Sequence, residues 1–398
     1  MTPSLLHLCA RATSAPGLTE KLVDGCAGIT DWDALLVEAE HHGLGPLLHW
    51  HTHSLGDSCS IGFRRAIRLV YLRHHHINTI YAEVLTDILE LLNTAGIAAL
   101  VLKGAALCHT IYPEIGLRPM RDIDLLLRKE QNRQAQDLLI GMGFSESTAP
   151  RPDDHFHLPS LHKKIRGISV CVELHHGLFP DCPPFYRRID FDSLCYKALK
   201  FDLNGLTAYC PGLEDMLWHI FEHGLHMPLT YEPYKLIVVA DIVTLVESGY
   251  ETIDWEKVRA TCPKIIASLP LLHHLTPWQG KILTRFSWKT EPVPAGIGET
   301  FTGWPHLRLS EQKENGLATI LSNTFLPPEW WCRVYYGLQG RWARYVCLCW
   351  WHPRHILWWI CLYSTFLDTD RGADGKITLG KRMKSVLRKA AALLRKFS

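Results

Sequence analysis

Up to residue 96 the apolar positions recur at helical spacing. Trp32 to His41 places them on one face behind Asp31, a candidate N-cap, and Gly43-Leu44-Gly45-Pro46 ends the run. Phe63 to Asn93 is a longer amphipathic stretch, one helix or a helix pair. Its stripe includes Ala66, Leu69, Val70, Ile77, Ile80, Val84, Leu85, Ile88, Leu89 and Leu92, and Asn93 and Gly96 mark its end. The rhythm then shortens. Ala98 to Leu102 is a brief apolar run that suits a buried strand and stops at Lys103-Gly104. Ala105 to Tyr112 reads as a short helix broken by Pro113, and a polar loop carries Arg118 and Arg121.

Asp122-Ile123-Asp124 then runs straight into Leu125-Leu126-Leu127, a buried strand with two acids at its start. Residues i and i+2 of a strand share a face, so Asp122 and Asp124 project together while Ile123 enters the core. Two adjacent carboxylates repel unless a cation lies between them, and hard oxygen donors with few protein groups suit Mg²⁺ beside substrate phosphates. Glu130 to Gly141 forms the next helix, and Phe144 to Leu161 a loop or hairpin with His155, His157 and His162 around it. These three read as solvent- or substrate-facing rather than as metal ligands. Ile168 to His175 is a second strand, with Val170, Val172 and Leu174 opposite Cys171, Glu173 and His175.

Gly104 leading a helix, followed by Asp-apolar-Asp on a strand, resembles the nucleotidyltransferase fold of the polymerase-β superfamily. The longer form, LKGAAL, Tyr112-Pro113, Arg118 and RDIDLLL, resembles a largely uncharacterised family of bacterial nucleotidyltransferases. The resemblance implies an α+β fold: a small mixed sheet flanked by N-terminal helices and a C-terminal helical domain. It implies a third acid, for which Glu173 is the candidate. Asp122, Asp124 and Glu173 would then be catalytic and hold two Mg²⁺ ions, with an NTP, ATP foremost, as substrate. Lys103 and Gly104 would hold phosphate, Arg118 and Arg121 would clamp it, and Lys235 is a weaker phosphate contact. Glu173 is also a candidate general base. The reaction would move a nucleoside monophosphate to a hydroxyl of a small molecule, peptide or protein. This chain departs from the commoner Gly-Ser in having Ala105 after Gly104, so no hydroxyl reaches a phosphate there. Two alternatives stand beside the enzyme: a silent nucleotide-binding regulator, and a membrane-associated interaction protein.

After His176-Gly177 the pattern is irregular, and the catalytic core, beginning at residue 97, is placed to end near residue 205. Asn204 to Gly249 reads as helix. His219, His223 and His226 share one helical face there and suit a polar seam or cleft wall better than a zinc site. A further helix from Tyr234 carries Lys235 and Asp241. Turns are expected at Pro263, Pro270 and Pro277, and a helical domain over 206–325. From 326 the chain changes, with Trp330, Trp331, Trp342, Trp350, Trp351, Trp358 and Trp359. A basic amphipathic tail follows, from Lys376 to Lys396, suited to peripheral contact with an anionic membrane face or to a solvated end. Ile356 to Leu367 is too short to span a bilayer, which takes about 20 residues. Composition adds little: 398 residues, 47% hydrophobic and 21% charged, describe a globular chain, and a net charge of +2 gives no nucleic-acid signature. Thirteen Cys without CxxC pairs read as reduced thiols, and the N-terminus lacks the basic start of a signal peptide, so a cytoplasmic protein is expected.

Overall fold

The computed structural model describes residues 4–15, 17–148, 155–179, 187, 189–225, 235–288, 296–297, 301, 303, 316–338 and 340–357. The expectations for His226, Trp358, Trp359 and the basic tail lie outside these residues. The N-terminal helices are α1 (Leu5–Cys9), α2 (Leu18–Ala27), α3 (Trp32–His41), α4 (Gly45–Thr52) and α5 (Ile61–Thr94). Asp31 caps α3 by accepting from the amide of Ala34 at 2.9 Å. The long stretch is a single helix of 34 residues, about 51 Å at 1.5 Å per residue, with Ser60 accepting from the Phe63 amide at its start. Its buried face is Ile67, Ile80, Val84, Leu85, Ile88, Leu89 and Leu92. Leu69, expected in that stripe, is instead 66% exposed.

The sheet has the order β1-β2-β5-β4-β3, built from β1 (Leu100–Val101), β2 (Ile123–Leu126), β3 (Ser145–Glu146), β4 (Leu161–Ile165) and β5 (Ile168–His175). Only β2 and β5 run parallel. The α+β class and the mixed sheet expected from the sequence are therefore present. Between β1 and β2 lies α6 (Lys103–Thr110), which starts two residues earlier than the apolar pattern suggests. Between β2 and β3 lies α7 (Asn132–Gly141). Val170, Val172 and Leu174 are buried on the opposite side of β5 from Glu173, as the alternation requires.

The reading of 204–249 as helix fails at its first residues. β6 (Leu199–Leu203) and β7 (Leu206–Cys210) form an antiparallel hairpin, and β7 lies against β1. Asn204 and Gly205 sit at φ 52° and 86°, the pair of left-handed residues that a two-residue hairpin turn demands and that Asn-Gly adopts readily. Helix resumes with α8 (Phe191–Tyr196) before the hairpin, and α9 (Leu213–Leu225), α10 (Leu236–Gly249), α11 (Trp255–Thr261) and α12 (Pro263–Leu272) after it. Pro263 begins α12, where its missing N–H costs nothing, and Pro270 lies inside the helix near its end instead of making a turn. Trp330 and Trp331 are buried in the helix Glu329–Tyr336, while Trp342, Trp350 and Trp351 are exposed. Among the described residues no helix is long and apolar enough to cross a membrane.

One contiguous core runs from Leu5 to Tyr335. The N-terminal segment is locked into it by charge. The Arg11 guanidinium, fully buried, donates to Glu247 of α10 at 3.1 Å and to the carbonyl of Pro277; Thr13 and Gln279 donate to the same carboxylate. A buried ion pair is costly to break from one side, because the remaining charge is left without a partner. Arg11→Met should therefore destabilise the chain by roughly 3–5 kcal/mol in urea denaturation, whereas the exposed Arg65→Gln should change it by less than about 0.5 kcal/mol.

Candidate functional site

The site forms where β2 and β5 run side by side. The parallel register sets Asp124 directly beside Glu173, and Leu126 beside His175. Asp124 is 1% exposed and would be costly to ionise alone. It is held by two donors on the same oxygen: Lys103 Nζ donates to Oδ1 at 3.0 Å and His175 Nε2 at 2.8 Å. Burial pushes the Asp124 carboxyl up, but the Lys103 ammonium and the His175 contact outweigh it and hold the group well below the ordinary carboxylate range. Glu173 shows the same opposition. Burial raises it, while His175 at 3.6 Å and His157 at 3.7 Å hold it down to about 2. Burial would lower His175, but its two carboxylate neighbours raise it instead.

Asp122 sits just before β2 and behaves oppositely. The Asp124 charge, then burial, push it up to about 6, with Lys103 pulling the other way. The donor atoms of Asp124, Glu173 and His175 lie within 4.8 Å of one another, a constellation able to hold a metal ion. His175 is the member that sequence reading missed as a site residue. Its signal was the Glu-Leu-His spacing, since i and i+2 on β5 must share a face.

Lys103 reaches Asp124 through a strained backbone. Its φ is 45°, in the left-handed region that side chains rarely adopt, and the Leu102 amide donates to the Asp124 carbonyl at 3.0 Å to tie the same turn down. Gly104 is required for a different reason. A Cβ there would lie 2.3 Å from Nη1 of Arg118. Arg118 itself is occupied inside the fold. Nε and Nη2 donate to Asp241 of α10 at 3.3 and 2.9 Å, Nη1 donates to the Pro119 carbonyl, and Tyr112 donates to Asp241 at 2.7 Å. The guanidinium expected to clamp phosphate thus ties the loop before β2 to α10. Arg121 is exposed, and its carbonyl accepts from Tyr81 of α5 at 2.9 Å. Lys235 is the N-cap of α10, where that helix starts against His42.

Histidines surround the acids. His157 bridges to His175 at the end of β5, and their rings lie 4.8 Å apart. His219 and His223 of α9 are held neutral, their pKa values lowered well below the ordinary by burial and then by Lys103, which places this face of α9 against the site. The Nε2 of His219 is buried without a hydrogen-bond partner.

Two outcomes follow from this geometry. Asp124→Asn removes the charge that raises Asp122, so the Asp122 carboxyl, followed by carbon NMR, should titrate below its present midpoint of about 6. Because that pKa is raised on folding, the stability it contributes is present below the unfolded value near pH 4 and is lost as pH rises through about 6; the mutant should lose this trend. Gly104→Ala should displace Arg118 from Asp241 and cost roughly 1–3 kcal/mol in urea denaturation.

Residues 29–276 match the model of a family described as uncharacterised nucleotidyltransferase. No curated protein sequence matches the chain. Among solved structures, the chain is similar to the antibiotic-resistance factor ANT(2'')-Ia in its solution structure, at 17% identity over 50% of this chain and 98% of that one, with a TM-score of 0.33. A crystal structure of ANT(2'')-Ia in complex with adenylyl-2''-tobramycin gives 15% identity over 47% and 98%, with a TM-score of 0.33. An antigenic nucleotidyltransferase-like protein from Paracoccidioides brasiliensis gives 13% over 53% and 96%, with a TM-score of 0.30. The family match spans the sheet strands, the acidic cluster and the helices on both sides of it; the chain belongs to this family of uncharacterised nucleotidyltransferases.

Proposed function

We propose that the chain transfers a nucleoside monophosphate from an NTP, ATP foremost, to a hydroxyl of an acceptor, releasing pyrophosphate, and that the cluster at the β2–β5 seam is where it does so. The observation that carries this reading is the register that sets Asp124 beside Glu173, with His175 completing a donor set within 4.8 Å. Carboxylate oxygens fit Mg²⁺, and the imidazole nitrogen fits Mn²⁺ as well. Asp124, Glu173 and His175, with Asp122 beside them, would hold such an ion. A divalent cation there supplies charge neutralisation for the triphosphate and lowers the pKa of the acceptor hydroxyl.

The chain's own groups do the rest. Lys103 keeps Asp124 ionised and offers an ammonium at the start of α6. A loaded cation would bring the Asp122 pKa down from about 6, since the positive charge offsets the repulsion from Asp124. Glu173, held down to about 2, is a weak proton acceptor, so its part is to bind rather than to act as general base. His219, held neutral and, among the described residues, unpartnered at Nε2, stands as a candidate to hydrogen-bond the acceptor hydroxyl, while its lowered pKa makes it a poor proton acceptor. The Arg118–Asp241 pair positions the loop that leads into Asp122 rather than touching phosphate.

The test is Mg²⁺-dependent pyrophosphate release from each NTP with cell extract as acceptor source. Asp124→Asn and Glu173→Gln should each lower it by about 10²-fold or more. Cation affinity should weaken as pH falls through about 6, because Asp122 then takes a proton. With Mn²⁺ as spectroscopic probe, nitrogen hyperfine coupling should be present in the wild type and absent in His175→Gln. Failure of all NTPs to bind in the presence of Mg²⁺ would sink the catalytic reading.

A further inference from the structure

The first turns of α5 carry an arrangement that the reading above does not use. Arg64, Arg65 and Arg68 fall within the first eight residues of the helix, and its first turn has no acid. Cations near a helix N-terminus are opposed by the helix dipole, and like charges three and four residues apart oppose each other. A fold normally offsets this with carboxylates. Here Arg64 has one, Asp57 at 3.8 Å, whose own side chain is fully exposed. Among the described residues neither Arg65 nor Arg68 has a carboxylate within ion-pair distance.

The three arginines border a cavity of about 560 Å³ between α4 and α5. His49 and His53 of the α4 end form another wall, and Ile61 and Ile67 supply apolar surface. Two polar atoms of the lining residues, Nε of Arg64 and Nδ1 of His49, are shielded from solvent and, among the described residues, have no hydrogen-bond partner. The volume falls in the range of small-molecule sites, roughly 300–1,000 Å³. The chemistry of the wall selects the ligand class. Guanidinium forks match phosphate oxygens, and the aliphatic wall suits a non-polar body attached to the phosphate. Nothing on this wall belongs to the acidic cluster. Arg68 precedes Asn78 and Tyr81, the α5 residues that hold the loop before β2, by ten and thirteen positions, about 15–20 Å along the helix.

We propose that this cavity is a binding site for a small phosphate ester, separate from the nucleotidyl-transfer site and independent of divalent cation. The anion sits between Arg64, Arg65 and Arg68, and the organic portion lies against Ile61 and Ile67.

Calorimetry of the full chain in EDTA with phenyl phosphate as probe tests this. The wild type should bind one equivalent, more tightly than it binds inorganic phosphate, and its Tm should rise with probe concentration. In the Arg65→Gln/Arg68→Gln double variant this binding should fall at least about tenfold. Both side chains are exposed, so the unliganded variant should keep the wild-type Tm or exceed it as repulsion is relieved. Asp124→Asn should bind the probe as the wild type does. No saturable binding, binding unchanged in the double variant, or binding lost in Asp124→Asn would each overturn the proposal. The first two leave the nucleotidyl-transfer reading untouched.

Discussion

A buried carboxylate with nowhere to send its charge organises this fold. Asp124 lies on a strand enclosed on both faces, and its ionised form exists because Lys103 and His175 converge on one oxygen. Each partner arrives from a different element. Lys103 comes from the turn into α6 and His175 from the far end of β5, so satisfying one charge fixes the mutual placement of a helix and two strands. Lys103 must adopt a left-handed backbone to reach it. Strain of this kind persists only where surrounding contacts over-determine it, and here the same residue's neighbour is hydrogen-bonded to Asp124's own carbonyl.

The two neighbouring acids show how one charge sorts the others. Asp124 and Glu173 are held low by cations, while Asp122, without a direct cationic partner of its own, takes the repulsion. Three carboxylates of nearly equal intrinsic acidity therefore titrate in two separate ranges, Asp122 around pH 6 and the other two well below it. The arrangement is poised to accept added positive charge, since an incoming cation relieves repulsion at Asp122 more than at the other two.

Much of this was readable in the sequence because it follows from strand period and local residue choice. The paired acids, the apolar run behind them, Glu173 opposite Val172, and the helix led by Gly104 all express contacts within a few residues. What escaped reading depends on partners far along the chain. Arg118 was read as a phosphate contact, and its ion pair with Asp241, 123 residues on, is one that no local pattern encodes. His175 was placed on the correct face of its strand, yet its contact with Asp124 depends on the parallel register with β2, which no local pattern encodes. The hairpin at Asn204-Gly205 is a different kind of miss. Its turn signal is local and strong, and it was overridden by the helical periodicity that begins soon after it.

The length of α5 has a consequence of its own. One unbroken helix carries the arginine-walled cavity at one end, the Asn78 and Tyr81 contacts to the loop before β2 in its middle, and the core packing of Leu85 to Leu92 at the other. A single inserted or deleted residue between Arg68 and Asn78 would rotate everything beyond it by about 100° relative to everything before it. Both ends could not then keep their partners. An insertion or deletion across this span therefore uncouples the two ends of the helix, whereas a substitution leaves their relative orientation intact. The helix thus acts as a rigid ruler between the cavity and the loop that leads into the acidic seam.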